Sequence, residues 1–419
     1  MCRTSYSHIP GGVLLAATEF YSDLYMRRSF GWIVQPLEPD VVVFVGDLLD
    51  GGRQLDDASF NDELARFFRV FPQGSEVRLY TPGNHDIGLG VWLRPDNADR
   101  FARSVSPLNF WRRLGDVVVV GVNSPGLLLP ASSEGRLGEL RSAAWDTVSN
   151  TSPEARMYEC LPRMVLSHVP LHRPPFTECG PHRVDKGPLL QGAGVSYQNL
   201  VGEADTRRVL GTLRPITVFS GDDHDWCEFH HPEGSVEWTI GTFSWLQGVC
   251  CPTVVLVSVD QRAAAAHVQR CKDAQPPVQT DDIISVQVCF LPSQLTIYKW
   301  YAVLGIVTLV LGLVYPLCSV WCCSPHLTHK TRDDVDLEYA ECRATASSGD
   351  RLATIATSGD GLAVRRASRA RVAPETPRHG VATLRTVSKL TETKRVGLDC
   401  LLLLLGVVVA HVCTLALSP

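Results

Sequence analysis

Apolar residues in this chain fall into short runs that end abruptly in glycine and polar side chains. Val41–Val45, 77–80, 164–166 and 216–219 are four such runs, and each reads as a buried strand. Residues 117–120 form a further strand of continuous valine, and 236–240 and Thr253–Val259 predict a last pair of strands. The Ala-rich stretch 261–268 predicts a short helix, 276–282 is a polar linker, and 283–291 fits either a terminal strand or a run leading into a membrane. Strands alternating with helical patterns from Val41 to Val259 predict a layered α/β domain.

The pattern changes after residue 298. Residues 300–323 carry no Asp, Glu, Lys or Arg, with Lys299, Trp300 and Tyr301 at one end and Trp321 near the other. Residues 400–419 are similarly apolar, with His411 the one basic side chain. A bilayer needs about 20 apolar residues, and aromatic residues at both ends mark its interfaces. The expected organisation is therefore a domain over 1–275, a linker or pre-membrane segment over 276–298, transmembrane helices over 299–323 and 398–419, and a disordered loop over 324–397. The C-terminal tail also fits a tail anchor or a processed lipid-anchor signal.

Charge orients this arrangement. The formal net charge is −5, yet 324–397 holds 13 Lys and Arg against 9 Asp and Glu, so the remainder is distinctly acidic. Basic residues flanking the spans place the loop in the cytoplasm and the domain and short C-terminus in a lumen. An acidic domain excludes nucleic acid as the expected partner. The soluble part contains Cys2, Cys160, Cys179, Cys227, Cys250, Cys251, Cys271 and Cys289, which a lumenal compartment would allow to pair. Asn150-Thr151-Ser152 is a glycosylation sequon, and Cys322 and Cys323 sit where acylation is chemically reasonable.

The polar ends of the strand-like runs carry the chemistry. They read Gly46-Asp47-Leu48-Leu49-Asp50, Gly83-Asn84-His85-Asp86, Ser167-His168 and Gly221-Asp222-Asp223-His224. Side chains at the C-terminal ends of successive strands converge on one edge of a sheet, where open α/β folds place their sites. Carboxylate, amide and imidazole donors together suit manganese, iron or zinc, and paired divalent cations are a device for phosphoester cleavage.

In their order and strand-end context these four motifs resemble the calcineurin-like metallophosphoesterases. Between them, Tyr25-Met26-Arg27-Arg28, Asp50-Gly51-Gly52-Arg53, His85-Asp86-Ile87-Gly88, Val169-Pro170-Leu171, Asp225-Trp226-Cys227-Glu228 and Thr242-Phe243-Ser244-Trp245 look like the endoplasmic-reticulum branch. That branch trims ethanolamine phosphate from the mannoses of glycosylphosphatidylinositol (GPI) anchors. The resemblance covers roughly 20–260. It implies a two-sheet αββα sandwich and two divalent ions, manganese first, with iron or zinc as alternatives. It implies Asp47, Asn84, His168, Asp222 and His224 as metal ligands, with Asp47 bridging both ions. His85 becomes the general acid, Asp50 its orienting partner, and Arg53 a phosphate clamp beside two glycines. His172 and Arg173 are further substrate-contact candidates, whereas His230 and His231 read as surface residues. The implied partners are a GPI glycolipid and a membrane of the endoplasmic reticulum or early Golgi, in a multi-pass topology.

Two departures qualify the resemblance. Asp222 replaces the first His of the usual Gly-His-x-His, in keeping with the GPI-trimming branch. The family's Asp-x-His or Asp-x-Gln does not precede Gly46-Asp47, and His8 is a poor substitute. An N-terminus that continues upstream, with a targeting segment, is the favoured expectation. The rivals are hydrolysis of another lumenal phosphoester or GPI lipid ester, and a non-catalytic GPI-binding or cargo-sorting protein with a crippled first metal site.

Overall fold

Short β-branched runs bounded by glycine, proline and polar residues become strands, and ten of them organise the domain. The structure, a computed structural model, describes residues 12–149, 152–184, 187–194 and 197–322. Strands β1 (Val41–Val45) and β2 (Val77–Thr81) pair in parallel, with Val41 opposite Val77 and Val45 opposite Thr81. The other parallel and antiparallel pairings build a mixed six-stranded sheet. Its members are β3 (Phe110–Leu114), β4 (Val117–Val122), β5 (Arg163–Ser167), β6 (Thr217–Ser220), β7 (Cys227–His230) and β8 (Val236–Thr239), in the order β3-β4-β5-β6-β8-β7. The last two strands, β9 (Thr253–Val259) and β10 (Ile284–Phe290), form an antiparallel pair.

Alternation along the strands sorts their side chains into layers. Val117 and Val119 of β4, Met164 and Leu166 of β5 and Phe219 of β6 share one cluster with Leu79 of β2 and with Val255 and Val286 of the last pair. The opposite faces, through Val120, Val122, Val165 and Val218, pack on Trp145 of helix Gly135–Val148 and on Val209, Leu210 and Leu213 of helix Glu203–Leu213. Behind β1 and β2, Phe44 and Tyr80 join Phe60, Phe67 and Phe71, around helix Asp57–Val70, and Tyr25, Met26 and Phe30 of helix Val13–Leu37. The layers thus run helix, strand, strand, helix, with apolar clusters between them. This is α/β layering, although among the described residues the strands pair as three sheets, one of them mixed, rather than as the two expected. Arg66 clamps the two outer helices together through both oxygens of Asp23, at 2.7 and 3.0 Å.

Residues 283–291, open at the sequence level between two readings, include strand β10. Its register against β9 runs from Ile284 opposite Val259 to Phe290 opposite Thr253, so this segment belongs to the domain rather than to a linker. The next helix, Gln294–Cys322, includes one stretch, Gln294–Tyr315, long and apolar enough to cross a bilayer and with none of its apolar window buried. It starts against the domain: Tyr25 donates to the Pro292 carbonyl at 2.7 Å, and Tyr21 and Tyr298 meet edge to face. Two disulfides, Cys160–Cys271 and Cys179–Cys227, cross-link the domain. The expected loop 324–397, the second span at 398–419, His8 and the Asn150-Thr151 part of the sequon lie outside the described residues.

Candidate metal centre

Four strand ends deliver the predicted motifs to one place. Gly46 follows β1 with φ 81°, and Asp47 follows it with φ 53°, two successive left-handed residues that turn the carboxylate inward. The turn leaves no room for side chains on its glycines. A Cβ on Gly46 would lie 2.2 Å from His168 Nδ1, and one on Gly83 would lie 2.2 Å from Asp47 Oδ1. These glycines therefore let the β1, β2 and β5 ends close on one another.

His168 is fully buried at the centre. Its Nδ1 lies 2.8 Å from the Val45 carbonyl oxygen, which can only accept, so Nδ1 carries a proton and Nε2 faces the site. Around Nε2 stand Asn84 Oδ1 at 3.2 Å, Asp47 Oδ1 at 3.3 Å and Asp222 Oδ1 at 3.5 Å. Three oxygens around one imidazole nitrogen need a positive centre among them. Burial alone would favour neutral His168. The Asp47 and Asp222 carboxylates outweigh it and push its pKa up to about 9.

The same donor set answers to a metal. Asp47, His168 and Asp222 each bring a ligand atom to within 4.8 Å of the others, and Asn84 adds a neutral oxygen. Nitrogen and oxygen donors of this kind, with the second imidazole nitrogen fixed by a carbonyl, fit manganese, iron or zinc. The residues therefore fit the family's metal. His224 lies two residues beyond Asp222 in the same turn, with φ 76°, half-buried, and its carbonyl accepts the Thr242 amide at 2.7 Å.

Beside this centre, His85 Nδ1 lies 2.7 Å from the Asp50 carbonyl and 3.0 Å from its Oδ1. Asp50 thus holds the imidazole through Nδ1. The His85 amide donates to Asp47 Oδ1 at 2.9 Å, which fixes the spacing of the two residues. Arg53 is half-buried, and its Nη1 donates to the Asn84 carbonyl at 3.0 Å. It supports the ligand loop and sits next to the site.

The remaining candidates lie elsewhere. Arg173, expected to touch substrate, is wholly buried and pairs with Glu237 Oε2 at 3.0 Å; it is a brace and not a substrate contact. His172 is half-buried, and its amide donates to Thr206 Oγ1 at 2.9 Å. His231, expected at the surface, is instead buried with Nε2 2.8 Å from Glu237 Oε2. His230 is exposed as expected.

Sequence reasoning missed two supports. Asp86, the last residue of its motif, accepts from the Leu48 and Leu49 amides at 3.0 and 3.1 Å and from Gly83 at 2.8 Å. It staples the β1 and β2 turns together. Burial and the neighbouring Asp47 charge both raise its pKa. Its position three residues after Gly83 is that of a capping carboxylate, and this spacing was the available signal. Glu237 on β8 accepts from Ser220 Oγ at 2.6 Å and from the Leu171 amide at 3.0 Å. It joins the segments that follow His168 and precede Asp222. A charged residue at a buried strand position was its only mark in the sequence.

This geometry can now be set beside known proteins. Residues 22–226 match the family described as calcineurin-like phosphoesterase. The chain carries a calcineurin-like metallophosphoesterase domain. Among its relatives, Cell division control protein 1 of Saccharomyces cerevisiae is 29% identical over 252 residues, 58% of this chain and 50% of that protein. Metallophosphoesterase 1 of Ailuropoda melanoleuca is 27% identical over 233 residues, 52% of this chain and 59% of that protein. These alignments span between half and three fifths of the relatives' length. A dimetal phosphatase from Danio rerio overlays with a TM-score of 0.37 at 14% identity, covering 58% of this chain and 86% of that one, too loosely to carry weight. The family implies a metal-dependent phosphoester hydrolase.

Proposed function

We propose that the protein is a membrane-tethered phosphodiesterase of the secretory pathway. In this reading it removes ethanolamine phosphate from a mannose of GPI anchors, in the endoplasmic reticulum or early Golgi. The observation that carries the enzymatic part is the joint placement of Asp47, Asn84, His168 and Asp222 beside the His85–Asp50 pair. The substrate part follows from the branch-like segments between those motifs. The two disulfides fit an oxidising lumen. The apolar stretch Gln294–Tyr315 of the last described helix fits a tether that confines enzyme and glycolipid to one surface.

In this reading Asp47, Asn84, His168, Asp222 and His224 hold two divalent cations, manganese first. Such a pair supplies Lewis-acid polarisation of the phosphoryl group and an activated water at neutral pH. The chain's own residues do the rest. His85, held by Asp50, gives a proton to the departing sugar oxygen. Arg53, beside Gly52, lends positive charge to the phosphoryl oxygens. Asp86 and Glu237 hold the ligand turns in register.

The test is deletion of the gene followed by mass spectrometry of GPI glycans. Retained ethanolamine phosphate on mannose, reversed by wild type and not by Asp47→Asn, is the expected result. Unchanged glycans would remove the substrate and leave the hydrolase with another lumenal ester. Rescue by Asp47→Asn would instead favour a binding or sorting protein.

A further inference from the structure

Between β5 and helix Glu203–Leu213 the chain forms a long connection in which the described residues make no helix and only one bridge, Ala193 to Gln198. Long loops in compact domains are usually functional. Beyond the ties of Leu171 and Arg173 to Glu237, it is fastened at several points to residues shortly after Asp222. Cys179 is disulfide-bonded to Cys227, and its carbonyl accepts the Glu228 amide at 3.1 Å. Arg183 pairs with Asp223 at 2.7 Å and donates to the Trp226 carbonyl at 3.1 Å. The Val184 amide donates to Asp225 Oδ2 at 3.3 Å. A loop tied in this way forms a wall beside the turn that carries Asp222.

The wall contains a pocket of about 530 Å³, lined by Phe176, Thr177, Glu178, Gly180, Arg183 and Pro188 among others. Phe176 is its unusual member. Its φ of 64° lies in the left-handed region, and the residue is 76% exposed. A bulky residue held there costs about 1–3 kcal/mol of strain, and an exposed ring recovers nothing by burial. Such residues cluster at ligand sites. The surrounding charge excludes an anionic ligand: Arg183 is engaged by Asp223, and Glu178 is a second carboxylate.

We infer that this pocket binds a neutral pyranose, the mannose bearing the phosphodiester or its neighbour in the glycan. The flat C–H face of the sugar lies on the Phe176 ring, and its hydroxyls donate to Glu178. Thr177 Oγ1, which donates to the Pro174 carbonyl at 2.6 Å, retains lone pairs for a further hydroxyl. The inference rests on the substrate reading above and adds where the sugar is read. Stacking on Phe176 makes the loop a selector of substrate and leaves the phosphoryl chemistry to the metal centre.

The test uses the full chain, solubilised and loaded with manganese. Phe176→Ala is compared with Phe176→Trp, which keeps a stacking face. For a mannose-linked ethanolamine phosphodiester, Phe176→Ala should raise KM about tenfold, the scale of one aromatic contact. Phe176→Trp should restore it, and kcat should stay at the wild-type level. Hydrolysis of bis(p-nitrophenyl) phosphate, which has no sugar, should be the same in all three. Saturation-transfer NMR with methyl α-mannopyranoside should show contact in the wild type and in Asp47→Asn, and none in Phe176→Ala. An unchanged KM, or equal NMR contact in Phe176→Ala, would overturn the pocket while leaving the phosphodiesterase intact. Sugar contact that depends on Phe176, without cleavage of the mannose-linked diester, would support the pocket and overturn the reaction assigned above.

Discussion

Two largely buried clusters of carboxylate and imidazole draw on the ends of β5 and β6, and they differ in the groups around their carboxylates. In one, Glu237 is enclosed by Arg173, His231, Ser220 and the Leu171 amide. Burial alone would raise the Glu237 pKa. Arg173, His231 and Ser220 outweigh burial and hold it below the usual carboxylate value. In the other, Asp47, Asp222 and Asn84 turn oxygens toward His168 Nε2. Burial lowers the His168 pKa, but the Asp47 and Asp222 carboxylates outweigh it and drive it up to about 9, and Asp47 likewise adds to burial in raising that of Asp86. The same residue types therefore make a brace where Arg173 supplies the cation and, beside His168, a donor set that suits a metal ion.

The sharpest way to break the comparison is to remove a charge from the unbalanced cluster. Asp47→Asn should abolish phosphodiesterase activity and lower bound metal, read together by turnover and by plasma emission spectrometry. Losing even an outer partner of a metal ligand costs about 10- to 100-fold in affinity or activity, so losing a ligand should cost more. Near-normal activity at normal metal content would sink the ligand assignment.

His85 sits beside that cluster without belonging to it. His85→Ala should lower turnover on an alkyl diester by about 100- to 10,000-fold, the usual range for a general acid. Metal content should be unchanged. The loss should be much smaller for bis(p-nitrophenyl) phosphate, whose leaving group needs no proton. Equal losses on both substrates would reject the acid role.

The balanced cluster should respond in stability rather than chemistry. Arg173→Ala leaves buried Glu237 without its guanidinium and with only His231 beside it to carry a balancing charge, and breaking a buried pair in this way costs about 3–5 kcal/mol in comparable sites. Replacing both partners, as Arg173→Met with Glu237→Leu, should cost far less stability yet still weaken metal binding about tenfold, because the Leu171 and Ser220 ties are lost. Urea unfolding and metal titration separate the two effects. A double variant with wild-type metal affinity would reduce Glu237 to packing alone.

This contrast also explains what the sequence made legible. Asp47, Asn84, His168 and Asp222 announce themselves because each follows an apolar strand and a tight turn, features carried by a few adjacent residues. Their joint placement follows from the parallel order of the strands. The His85–Asp50 pair was legible for the same reason. Arg173 and His231 were misread because polar residues near a motif look like substrate contacts or surface. Their burial depends on Glu237, which comes from another strand and has no motif. The helix Val13–Leu37 was equally hidden: its buried face, Tyr25, Met26 and Phe30, is interrupted by Arg27 and Arg28. Strand β10 became distinguishable from a pre-membrane run only through its register with β9.

The smallest expected effect concerns acid, and it tests whether Glu237 is ionised in the folded protein. Its folded pKa is held below the ordinary value of 4.5. A carboxylate depressed in this way binds fewer protons folded than unfolded as pH falls through that window. Its contribution to stability is therefore complete above about pH 4.5 and is lost as pH drops through the lower, folded value. Glu237→Gln keeps the shape and one acceptor but cannot titrate. At pH 7 it should be less stable than wild type, and the gap should close steadily below pH 4.5. Urea midpoints measured from pH 7 to pH 3 would show this convergence. A gap that stays constant across the range would mean that Glu237 is already protonated, and the contrast between a self-balanced brace and a cation-seeking centre would lose its basis.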